Sequence, residues 1–82
     1  MARRWAYVFS PADLGGFLAR LRAERGLTQA DLADELGISR RYLYEIETGK
    51  PSLYTDRLFM ALRVLGARLT IEAKVDDAGR VT

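Results

Sequence analysis

The chain has 82 residues, enough for one domain with a thin core and too few for a catalytic domain beside a binding domain. It has no Cys, which excludes a disulfide framework and a thiolate metal site. No apolar run approaches the ~18 residues of a membrane span and no signal-peptide core opens the chain, so a soluble, cytoplasmic setting is the expectation.

Net charge is only +2, but eleven of the thirteen basic residues are Arg, the side chain whose planar fork suits phosphate and guanine.

Trp5, Tyr7 and Phe9 alternate through an aromatic, β-branched run, which predicts a short strand over 5–9 whose rings pack within the domain. Ser10, Pro11 and Asp13 then form a helix start: a cap, a proline in the first turn and an acid three residues after the cap. Leu14, Phe17, Leu18 and Leu21 share one face of that helix, and Gly26 stops it after a basic last turn. Gly15 and Gly16 are unfavourable inside it, by roughly 1 kcal/mol each against Ala. Thr28 and Asp31 start a second helix with Leu32, Ala33 and Leu36 inward and Gly37 as its end. Ser39 caps a third, with Leu43 and Ile46 inward, ending at Gly49. A fourth helix is expected from about Thr55 to Leu65, with Leu58, Phe59, Leu62 and Leu65 inward. Leu69, Ile71, Ala73 and Val75 alternate with polar residues in a half-buried strand over about 67–75, and residues 76–82 are expected to form a frayed tail.

The segment 28–49 holds two short helices joined through a glycine. Small Ala33 lets them cross closely, Gly37 supplies the positive φ of a sharp turn, and Ile38 plugs that turn into the core. Outward residues of the second helix are then free to enter a groove. The stretch Leu27-Thr28-Gln29-Ala30-Asp31-Leu32-Ala33, with Leu36-Gly37-Ile38-Ser39, Tyr42-Leu43, Ile46-Glu47 and Gly49, resembles the lambda-repressor-like, or Xre-type, helix-turn-helix family. That resemblance implies a mainly α domain of four to five helices with short terminal strands, reading double-stranded operator DNA.

The flanks, Phe9-Ser10-Pro11, Gly49-Lys50-Pro51 and Leu65-Gly66 leading into a strand, resemble HipB-type antitoxins. This narrower resemblance implies a homodimer paired through the C-terminal strand, repression of its own operon and binding of a HipA-type serine/threonine kinase toxin. Tyr44 departs from it, standing where a small polar residue is usual. A stand-alone Xre-type regulator is the alternative, and an interaction module that has lost DNA binding is a third reading, opposed by Arg40 and Arg41.

Arg40 and Arg41 open the recognition helix and are the candidates for guanine or phosphate. Thr28 and Gln29 lie at a helix N-terminus able to hold a phosphate, with Ser39, Tyr44 and Lys50 as further DNA contacts. Tyr42 could serve DNA or the core. Glu45 could accept from cytosine N4, although pairing with Arg41 is favoured, and Glu47 is read as an internal ion-pair partner. Leu69, Ile71, Ala73 and Val75 are the candidate dimer interface, and exposed Arg20, Arg57 and Arg63 the candidate toxin surface. No His is present and no carboxylate pair forms a recognisable site, so neither an enzyme, a cofactor nor a metal is expected.

Overall fold

The computed structural model describes residues 3–74; Val75 and the predicted tail over 76–82 lie outside the described residues. Strand β1 (Arg3–Val8) leads into helices α1 (Pro11–Glu24), α2 (Gln29–Leu36), α3 (Arg40–Thr48) and α4 (Leu53–Val64), and strand β2 (Leu69–Lys74) returns. None of these helices is long and apolar enough to cross a membrane.

Side-chain oxygens start all four helices. Ser10 accepts from the Asp13 amide, while the Asp13 carboxylate accepts from the Phe9 amide at 3.0 Å, closing α1 from both sides. Ser52 accepts from the Thr55 amide at 3.1 Å, so α4 begins at Leu53, two residues before the start expected from the sequence.

The earlier start goes with a different inward face. Phe59 is buried at 4% exposure, with Thr55 and Leu62 half-buried on the same side. Leu58 and Leu65, expected inward, are instead exposed. The apolar residues of α4 surround most of the helix, so periodicity could not choose among them.

β1 and β2 pair antiparallel, with Val8 opposite Leu69, Ala6 opposite Ile71 and Arg4 opposite Ala73. Arg4 bonds Glu24 of α1 at 3.1 Å and Val8 is buried, so this row faces the helices. Trp5 and Tyr7 therefore project from the other face. With Phe9 they are exposed, correcting the expectation that these rings fill the domain. They stack on one another, Trp5 edge-on to Tyr7 at 5.2 Å, and Arg68 lies over the Tyr7 ring.

Val8, Phe17, Ala33, Leu43 and Phe59 form the buried core. Gly15 explains part of the costly pair in α1: a Cβ there would run into the carbonyl oxygens of Ile46 and Glu47. Helix α1 thus crosses the last turn of α3 at backbone contact. Gly16 faces open space and has no such role.

Candidate nucleic-acid interface

Ala33, 2% exposed, sits where α2 meets α3, and Gly37 makes the left-handed turn between them at φ 70°. Thr28 and Asp31 form a reciprocal capping box at the start of α2, with hydrogen bonds of 3.0 and 2.9 Å. Ser39 caps α3 by accepting from the Tyr42 amide at 3.0 Å. Gly49 ends α3 at φ 71°, and a side chain there would collide with the Ala12 backbone. Both ends of α3 are therefore fixed.

The inner side of α3 carries Leu43 and Glu47. Arg22 reaches from α1 with two bonds to the Glu47 carboxylate, at 2.6 and 3.0 Å, and donates to the Leu27 carbonyl at 2.7 Å. The Gln29 amide reaches the same carboxylate from α2 at 2.9 Å. Three helices converge on one acid. The Arg22 hydrogen bond holds the Glu47 carboxyl below the usual carboxylate range, opposed by burial and helped by Gln29. The Gln29 side-chain amide, expected to hold a phosphate, is thus engaged with Glu47 within the domain. Nothing in the spacing of Arg22, Gln29 and Glu47 names the triple contact, although an acid beside Leu43 and Ile46 on the inner half of the helix is the signal for a buried pair.

The outer side carries Arg40, Arg41 and Tyr44, all exposed. An α-helix with its side chains is about 10–12 Å across, which fits the major groove of about 12 Å. Glu45 sits beside them with Arg41 at 3.5 Å and Lys50 at 3.2 Å. The expected Arg41 pairing is present, and Lys50, read as a phosphate contact, is also tied to this acid. The Lys50 hydrogen bond is the larger cause holding the Glu45 carboxyl below its ordinary range. Tyr42 is 56% exposed and borders a cavity of about 330 Å³ with Leu14, Ile46 and Phe59, so its ring serves the surface as well as this recess.

Of the candidate dimer residues, Leu69 is exposed and Ile71 and Ala73 are half-buried. They lie on the helix-facing side of the sheet opposite Val8, Ala6 and Arg4, and the outer edges of both β1 and β2 have no strand beside them among the described residues. Arg20, Arg57 and Arg63 are exposed, on α1 and α4. Among the described residues no group of three or more acidic residues could hold a metal.

A capped helix pair with a close crossing, a glycine turn and a basic outer face defines a helix-turn-helix domain. A family model described as a helix-turn-helix domain matches residues 13–72, and the chain belongs to that family. It is also similar to the "Uncharacterized HTH-type transcriptional regulator y4mF" of Sinorhizobium fredii (strain NBRC 101917 / NGR234), with 33% identity over 73 residues, covering 89% of this chain and 92% of that protein. No solved structure gives a significant match.

Proposed function

We propose that the protein is a DNA-binding transcriptional regulator that lays α3 in the major groove of an operator. The observation carrying this reading is the division of α3: Glu47 and Leu43 fix its inner side, while Arg40, Arg41 and Tyr44 stand exposed on the other. Thr28 and Ser39 cap α2 and α3, and in this docking the first amides of those helices would face phosphates. The name of the relative as a transcriptional regulator agrees with it. Such regulators gain affinity and a palindromic site by presenting two recognition helices, so the protein acts as a homodimer. The open edge of β2 offers one route to that pair.

The finer reading is an antitoxin that represses its own operon and holds a HipA-type kinase. Its support is the resemblance of the flanking residues to HipB-type proteins. Co-expression with a kinase-like neighbouring gene product should give a complex and relieve toxicity; neither result would leave a stand-alone regulator.

The DNA reading is tested by Arg40→Ala and Arg41→Ala in a binding assay against the promoter of the protein's own operon. A base-contacting Arg should cost about 1–3 kcal/mol and relax specificity at one base pair. Unchanged affinity in the double variant would remove the proposed docking.

A further inference from the structure

Helix α4 leaves Leu53, Tyr54, Leu58, Met60, Val64 and Leu65 between 43% and 78% exposed. Elsewhere on the same chain, a groove of about 390 Å³ opens between α1, α2 and α3, floored by Leu18, Leu21, Leu32, Leu36 and Ile46. Leu36 is 55% exposed and Ile46 37%. The chain cannot close this groove with its own α4 in the arrangement described, because Phe59 is buried and holds that helix at the recess beside Leu14 and Gly15. A helix face and a groove, each apolar and each open, are therefore displayed on one molecule.

We propose that α4 of each chain docks in the α1–α2–α3 groove of a second copy, the two insertions being related by a twofold axis. This deepens the homodimer of the preceding reading by assigning its interface, and places that interface away from the edge of β2. Reciprocal insertion is self-complementary and closes at two chains, whereas a one-way contact would propagate.

Area favours this occupant. A stable interface buries roughly 800 Å² per partner, and a large aromatic side chain alone contributes ~150–250 Å². Six large apolar side chains on the helix and those lining the groove are of that scale. An exposed apolar surface of this extent is unusual for a monomer.

Charge favours it too. The groove includes Arg25 and Glu35, and α4 carries Asp56 and Arg63. None of these four has an ion-pair partner among the described residues. Setting Arg63 against Glu35 and Asp56 against Arg25 matches both signs and brings Val64 beside Leu36.

The test needs no DNA, so its failure leaves the operator reading standing. Wild type should sediment as a dimer at tens of micromolar. Leu36→Glu, and separately Val64→Glu with Leu65→Glu, should give monomers with unchanged circular dichroism, since these positions are more than half exposed within the chain. Mixing the two variants should restore dimers, because a mixed pair keeps one intact helix–groove contact. A second measurement does not depend on charge insertion. The chain has no Cys, so Leu36→Cys and Val64→Cys chains, mixed and oxidised, should link to each other in preference to themselves. A wild-type monomer, a Leu36→Glu dimer, or Val64→Cys linked only to itself would overturn the proposal. The last two outcomes would point to α4 packing on α4 or to the edge of β2.

Discussion

Arg22 and Glu47, twenty-five residues apart, meet through two hydrogen bonds, the shorter 2.6 Å, and join α1 to α3. Glu47 is 7% exposed, so this pair lies in the interior of the interface between the two helices. Replacing Glu47 by Ala would strand the Arg22 guanidinium and the Gln29 amide together. Because the Arg22 side chain keeps 16% exposure, the loss should be about 3 kcal/mol, the lower end for breaking a buried pair. Urea unfolding of the two proteins measures it, and an unchanged midpoint would show the clamp to be dispensable.

Acid should weaken the fold through the same residue. The Glu47 carboxyl is depressed by its Arg22 hydrogen bond, and that of Asp31 by the Thr28 amide and hydroxyl. Groups lowered in the folded state stabilise it fully above the unfolded carboxylate range, near ~4, and lose that contribution as pH falls through the folded value. Melting temperature should therefore be flat near neutrality and drop below about pH 4.5. Glu47→Gln should flatten part of that drop.

The two neighbouring glycines of α1 should respond in opposite directions. Gly15→Ala forces a Cβ against backbone carbonyls of α3 and should destabilise the domain, with the α1–α3 crossing pushed apart. Gly16→Ala meets open space and should stabilise it by about 0.5–1 kcal/mol. Thermal melts of both variants, compared with wild type, check the contrast.

Glu45 restrains two cations on the proposed DNA face. Glu45→Gln should release Lys50 and Arg41 and tighten binding to any duplex, most visibly at low salt. If Lys50 contacts one phosphate in the complex, Lys50→Ala should reduce the slope of log affinity against log salt by ~0.9. Titrations at several salt concentrations give both numbers; an unchanged slope removes Lys50 from the interface.

The helix starts were legible because each is a local event: Ser10, Thr28, Ser39 and Ser52 each cap through an amide three residues away. The start of α4 was still misplaced, since both Ser52 and Thr55 are residues that can cap. The helix-turn-helix could be read from Ala33, Gly37 and Leu43 for the same local reason. Facing was harder. Ala6 and Val8 turn inward and their aromatic neighbours outward, a choice made by α1 and β2 rather than by the alternation itself. The role of Gln29 was hidden because its partner is eighteen residues away.

The clamp at Glu47 has a consequence for how binding preferences can change. Arg22, Gln29 and Glu47 locate α3 from behind, and none of them shares the exposed face with Arg40, Arg41 and Tyr44. Alignment and lettering are thus held by separate side chains, as in a printer's frame that keeps its type in register. Under the proposed docking, the outward positions could be rewritten as a cassette without moving the helix that bears them, so that one scaffold would serve many operators.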